Sequence, residues 1–539
     1  MSASPPARLV MLGIDAANPA LLERWSADGT LPNLARLIAR GTVAHTRGVA
    51  GFFVGSTWPS VYTGTTPARH GVHYLLQLIP GTYRLHWVAE AEFVRRPAFW
   101  EALSQAGRRV AVLDVPLTRL SNNLTGVQVV EWGGHDSVYG FRTAPDELAD
   151  DLRARHGTHP LGGSCDRSNR TAADYARFVE SLEAGVRRKA AWTKELLSRG
   201  GWDLFMQVFT ESHCVGHQCW HLHDAQHPAH VPAFVESHGD PLRRVYRAID
   251  AAIGEVLEQT GDASVIVFTA HGMAHRYGAQ FLLRDILVRL GVTVPDAAVD
   301  AGDAPTGIMH RLARGMWHRL PMTMRRPLRA LRRAGKRSSG NGQPAPSIRY
   351  DTQRSKCFPL NNGLAVGGIR LNLAGREPTG VLPPGAEADE FCARLCADLK
   401  QIVDDRTGRP LVKDVVRTSA LYTGEQLAAL PDLLVEWDDG TPLDSSALGD
   451  RSRGRVRVRS DTIGVIEGVN DYARTGEHRP DGWMIVCGRG ITAGRLDRPV
   501  SLLDLAPTAS AMLGVHLTDV DGRVIPEFID DSSALVEPS

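Results

Sequence analysis

Four histidines fall within eleven residues of the segment TESHCVGHQCWHLHD: His213, His217, His221 and His223, with Asp224 following. His213, His217 and His221 stand at i, i+4 and i+8, and on a helix the i and i+4 imidazoles face the same way. Two imidazoles at i and i+4 can grip one metal ion. Packing accounts for a single histidine, but four opening at the end of an apolar run point to metal binding. His227 and His230 extend the enrichment and read as surface residues. Elsewhere, Asp15 ends the run RLVMLGI, His271 follows SVIVFTA directly, and His478 stands in the Gly- and Pro-rich stretch TGEHRPDG. Thr57 sits in GSTWPSVYTGTTPARHG, just ahead of a helical pattern, where the positive end of a helix dipole suits a phosphate or an incipient alkoxide. Taken singly, Asp15 reads as a turn residue and Thr57 as a helix cap. Together they form a metal-competent set. Neutral imidazoles with a carboxylate suit Zn²⁺, as one or two ions, or another divalent first-row ion. Such ions stabilise charge on a phosphoryl oxygen and lower the pKa of a bound hydroxyl.

These side chains need a scaffold that brings distant segments to one edge. Short apolar runs at 8–14, 110–115, 203–209 and 264–270 read as buried strands. Helical patterns at 19–37 and 241–258 alternate with them. The alternation predicts an α/β fold with a mostly parallel sheet, whose ligands lie beyond the carboxyl ends of the strands. A strand and turn at GLAVGGIRLNLAGREP, a helix over 386–403 and a strand at PDLLVEW follow. The expected organisation is a discontinuous catalytic unit, 1–290 with 350–539, interrupted by an insertion at 291–349. Within that insertion, residues 309–337 carry ten Arg or Lys and no acid. They read either as a solvated segment or as a basic arm attracting an anionic substrate or membrane surface.

Composition narrows the partners. The 539 residues hold 61 basic and 60 acidic side chains, a formal charge of +1, so no global field draws nucleic acid. Seven scattered cysteines argue against a disulfide framework. Without a signal-like start or a span of about 20 apolar residues, a cytoplasmic protein is expected, with homo-oligomerisation left open.

The order of motifs resembles the alkaline phosphatase superfamily, in particular its type I phosphodiesterase/nucleotide pyrophosphatase branch. LGIDAA, STWPSVYTGTTPARHGV, FTESHCVGHQCWH, AHGM and GEHRPDGWMIVCGRGI carry the resemblance, which runs from Val10 to about Gly514. It implies a three-layer α/β/α sandwich with inserted cap segments, and two metal ions roughly 4 Å apart bridged by the substrate phosphate. Thr57 falls on the nucleophile that forms a covalent phospho-enzyme. Asp15, Thr57 and His271 fall on ligands of one metal, and His217 and His478 on ligands of the other. Three departures stand out: His213 occupies a position usually Asp, Ala270 another, and Ser60 a phosphate-binding position commonly Asn. His221 and His223 are expected as substrate contacts. The resemblance implies hydrolysis of a small organic phosphate, possibly a nucleotide. A phosphomonoesterase, a phosphoryl transferase and a non-catalytic metal- and anion-binding relative are the alternatives. The sulfatase branch is disfavoured, because Val61 stands where its signature needs Arg.

Overall fold

The computed structural model describes residues 8–88, 94, 96–133, 137–162, 164–296 and 347–529. Its central sheet is built from strands that are apolar on both faces. In Leu9–Ile14, Leu9 and Met11 join one apolar cluster, while Val10, Leu12 and Ile14 join another. Leu204–Phe209 and Ser264–Thr269 divide in the same way. A strand covered on both sides loses the alternation of a half-exposed one and reads as a continuous apolar run.

Ten strands make this sheet. Leu9–Ile14 lies at its centre, parallel to Leu204–Phe209 on one side and to Ser264–Thr269 on the other. Val110–Leu113 and Gly126–Val130 continue in parallel beyond Leu204–Phe209. Arg142–Ala144 and Asp481–Cys487 run antiparallel to their neighbours. One face is covered by helices including Pro19–Ala27, Ala172–Ser198 and Pro241–Leu257. The other is covered by Thr57–Thr63, Phe99–Gln105 and Leu505–Met512. The fold is the three-layer α/β/α sandwich, with a mostly parallel sheet.

A separate apolar core belongs to an inserted antiparallel unit. Cys357–Leu360, Val366–Leu371, Leu433–Trp437 and Val412–Arg417 pair in that order, with the helices Gln280–Arg289 and Ala386–Lys400 contributing to the core. The basic stretch 309–337 lies outside the described residues. The chain on either side of it is joined: Pro295 bridges Tyr350, and the Asp351 amide donates to the Val294 carbonyl at 2.9 Å.

One helical pattern divides. Residues 19–37 read as a single element but form Pro19–Ala27 and Pro32–Arg40. Gly29 adopts φ 79°, a conformation that ends a helix cheaply only at glycine, and Pro32 restarts one at its first turn. Among the described residues no helix is long and apolar enough to cross a membrane, and none of the seven cysteines forms a disulfide.

Candidate functional site

The carboxyl edge of the parallel sheet gathers the chemistry. Asp15 follows Leu9–Ile14, Asp114 follows Val110–Leu113, Thr210 follows Leu204–Phe209, and His271 stands two residues beyond Ser264–Thr269. His213 rises from the helix Glu211–His223, which starts one residue after Thr210. All five line one cleft with an empty volume of about 790 Å³, together with His478 and Arg474.

His478 arrives by a route the sequence does not announce. Its loop-like surroundings form a strand, Gly476–Arg479, antiparallel to Gly272–His275 with His478 opposite Met273. The Thr475 amide donates to the His217 carbonyl at 2.7 Å, which ties this strand to the histidine helix. Contact is so close that a Cβ on Gly476 would stand 2.2 Å from the Gly216 carbonyl oxygen.

Four imidazoles converge. His478 Nε2 lies 3.3 Å from His213 Nε2 and 3.1 Å from His217 Nε2. One ligand atom each from His213, His271 and His478 all fall within 4.8 Å of one another, and all three residues are buried. His217 Nδ1 donates to the Gly476 carbonyl at 2.8 Å, which leaves its Nε2 with the lone pair. A backbone carbonyl in that role fixes tautomer and ring orientation as in metal-ligating histidines. Tetrahedral ligation at about 2.0–2.1 Å separates two nitrogens by roughly 3.3 Å, close to both observed spacings. Burial pushes His271 down to about 3, so its ring is neutral, and neither of its nitrogens has a hydrogen-bond partner within the protein. The donor set fits a borderline-soft divalent ion.

The other predicted ligands are not gathered in this way. Asp15 Oδ1 accepts from the Trp58 indole at 2.9 Å, and among the described residues neither group of close metal-competent side chains includes Asp15. Ala270 is fully buried and offers no donor atom. His271, expected beside Asp15 and Thr57, is grouped instead with His213 and His478. Thr57 is the first residue of its seven-residue helix and is fully buried. Its hydroxyl donates to the Phe53 carbonyl at 2.8 Å, while its neighbours Gly55 and Trp58 line the cleft. Ser60 is buried against His70, with Oγ 2.9 Å from Nε2.

His221 and His223 stand away from the cleft. His221 Nδ1 lies 3.1 Å from Thr475 Oγ1, and its ring borders a different cavity with Tyr175 and Phe234. His223 pairs with Asp240 at 2.6 Å and packs edge-on against Trp25 and Trp220. The i+8 position drifts off the face shared by i and i+4, because 3.6 residues per turn do not divide eight evenly. His227, expected at the surface, is buried, and its Nδ1 accepts from the Ala229 amide at 3.0 Å.

Sequence reasoning missed several cleft residues. Arg474 donates to His217 Nε2 at 3.3 Å, and Asp166 holds it by contacts of 2.7–3.0 Å. Asp114 Oδ2 lies 2.7 Å from Lys189, a lysine with no exposed surface, and Lys189 also lies 3.3 Å from Glu211. Burial raises the Glu211 carboxyl, yet Lys189 and the hydrogen bond from His159 outweigh it and draw it down to about 2. The strand-end Asp of VAVLDV was a usable signal, since it repeats the Asp15 pattern. Nothing near Arg474 or Lys189 in sequence marks them.

Comparison with known proteins places this geometry. The family model described as type I phosphodiesterase / nucleotide pyrophosphatase matches residues 9–455. Among solved structures, phosphonoacetate hydrolase from Sinorhizobium meliloti 1021 in complex with phosphonoformate is similar at 16% identity. The alignment covers 94% of this chain and 96% of that one, with a TM-score of 0.50. The alkaline phosphatase PafA is similar at 14% identity, over 98% of this chain and 100% of that one, with a TM-score of 0.51. At these identities the likeness speaks to fold. No curated protein sequence matches. With the family model spanning most of its length and the sandwich fold in common, the chain belongs to the type I phosphodiesterase / nucleotide pyrophosphatase family, whose members hydrolyse phosphoric esters.

Proposed function

We propose that this protein is a metal-dependent hydrolase of small phosphate esters, working around one histidine-rich centre. The single observation that carries the reading is the convergence of His213, His271 and His478, drawn from three segments, on the wall of the cleft, with His217 against His478. His213, His271 and His478 would hold the ion, with His217 beside His478. A divalent ion there supplies Lewis-acid stabilisation of phosphoryl charge. Asp15 and the missing carboxylate at Ala270 leave the partner centre implied by the family resemblance weak, so a single tightly held ion, Zn²⁺ by donor type, is the expected content.

Thr57 is the nucleophile in this reading. Its Oγ1 turns from the Phe53 carbonyl to the phosphorus, and the bond to the leaving oxygen breaks as the Oγ1–P bond forms; the threonine's proton is released and the departing oxygen takes up a proton to leave as the alcohol. Water then attacks the same phosphorus, the Oγ1–P bond breaks, and a proton of that water restores the Thr57 hydroxyl. The net products are the alcohol and a phosphate. Trp58 donates to Asp15 and so holds that carboxylate beside the nucleophile's helix. The cleft admits a small organic phosphate.

Elemental analysis of the purified protein, together with turnover of a chromogenic aryl diester and monoester, tests the reading. We expect about one ion per chain. Thr57→Ala is expected to lower turnover by roughly a thousandfold or more with metal content unchanged. Full activity in Thr57→Ala removes the nucleophile assignment. Bound metal with neither ester cleaved would instead favour a binding protein.

A further inference from the structure

The cleft wall carries two chemically distinct sets of residues. One is the histidines and Arg474. The other is Val54, Tyr74, Leu75, Pro116 and Leu117, all of them half-buried and apolar or aromatic. Arg474 is the one basic side chain other than histidine on the wall among the described residues. Its guanidinium is fixed by a paired contact with Asp166, which in turn accepts from Gln218 at 2.9 Å. A planar, preorganised guanidinium suits recognition of a phosphoryl oxygen.

The two carboxylates on the wall beyond Asp15 argue about the leaving group. Asp114 is neutralised by the buried Lys189, and Glu131 is occupied by the amides of Val138 and Tyr139 at 2.8–3.0 Å and by Ser137 Oγ at 2.6 Å. Neither is available as a cation site. The Glu131 carboxylate would oppose a second negative charge on the bound ester.

Leu117 adds an independent observation. It adopts φ 54°, a left-handed conformation that glycine or asparagine takes at lower cost. Its carbonyl is held there by the Tyr62 hydroxyl at 2.9 Å. A branched apolar side chain is thus retained at a strained position on the cleft wall, and strain of this kind gathers at ligand-binding sites.

We propose that the substrate is a phosphate ester of an uncharged, apolar or aromatic alcohol. Its phosphoryl group lies under Arg474, and its organic group lies against Tyr74, Leu75 and Leu117. This rests on the hydrolase reading for the identity of the phosphoryl end, and deepens it by naming the leaving-group class. Sugar phosphates and nucleoside polyphosphates are disfavoured, the first by the apolar wall and the second by Glu131.

The test is calorimetric binding of phenylphosphonate, 2-hydroxyethylphosphonate and inorganic phosphate to the full-length, zinc-loaded protein. Phenylphosphonate is expected to bind about tenfold or more tightly than 2-hydroxyethylphosphonate. Leu117→Asn tolerates the left-handed backbone and keeps the fold. It is expected to abolish that preference while leaving inorganic phosphate affinity within about twofold. Arg474→Ala is expected to weaken all three by about tenfold. Equal affinity for the two phosphonates, or a preference that survives Leu117→Asn, overturns the proposal. If none of the three anions binds, the hydrolase reading falls with it. Aryl preference without any ester turnover would sink the hydrolase reading alone.

Discussion

At the scale of single residues, two positions make separate predictions, one for the metal content and one for the buried charges beside the cleft. Ala270, buried just after Ser264–Thr269 and beside His271, stands where the family resemblance implies a carboxylate. Ala270→Asp is therefore expected to raise the metal content from about one toward two ions per chain, measured by elemental analysis after dialysis against zinc. An unchanged content would mean that Asp15 and Thr57 cannot complete a centre. Lys189 is the second position. It lies against Asp114 and Glu211 with no exposed surface. Lys189→Met would leave two buried carboxylates without their cation, and breaking such a network costs about 3–5 kcal/mol. We expect that loss in denaturant unfolding, and an unchanged midpoint would show that the network is easily replaced. The metal-type residues were legible because their chemistry is rare and their spacing regular. Lys189 was not, since a lysine in a long helix looks like any solvated one until the fold removes the water.

At the scale of elements, the histidine helix and the strand bearing His478 depend on their contact. Gly476→Ala would drive a Cβ into the Gly216 carbonyl and push that strand off the helix. The expected outcome is zinc affinity lower by about a hundredfold or more, read by competition with a chromophoric chelator, with far-ultraviolet dichroism little changed. Wild-type affinity in this variant would mean that His478 is not held by that contact. The helix Glu211–His223 was legible from its i, i+4 imidazoles. The strand Gly476–Arg479 was not, because its partner Gly272–His275 lies some two hundred residues earlier and short polar strands carry no periodic signal. The division of 19–37 into two helices was legible in principle, since Gly29 and Pro32 are both stop signals.

Across the whole molecule, burial of neutral histidines makes stability sensitive to acid. His70 and His73 are fully enclosed, and burial pushes both down to about 3. The folded protein keeps these rings neutral while the unfolded chain binds protons below about 6.5. Stability is therefore complete above about pH 6.5 and declines as pH falls toward 3. The cost is about 2 kcal/mol per histidine at pH 5. His70 Nδ1 accepts from the Val72 amide at 3.1 Å, a bond that protonation there would break. His70→Gln is expected to flatten the fall in melting temperature between pH 7 and 5, and an equally steep fall would remove His70 from the account. Removal of metal by a chelator is expected to lower the melting temperature as well, by an amount that grows with the zinc concentration it replaces. Sequence alone determined the α/β alternation, its mostly parallel sheet and the residue types of a candidate metal site, because buried strands and repeated imidazoles follow local rules of spacing; the three-layer sandwich was implied by the family resemblance. Only the tertiary structure decided which of those residues meet. It joined His213, His217, His271 and His478, turned His221 and His223 elsewhere, and brought in Arg474 and Lys189, because helix phase and long-range strand pairing are properties of the assembled chain.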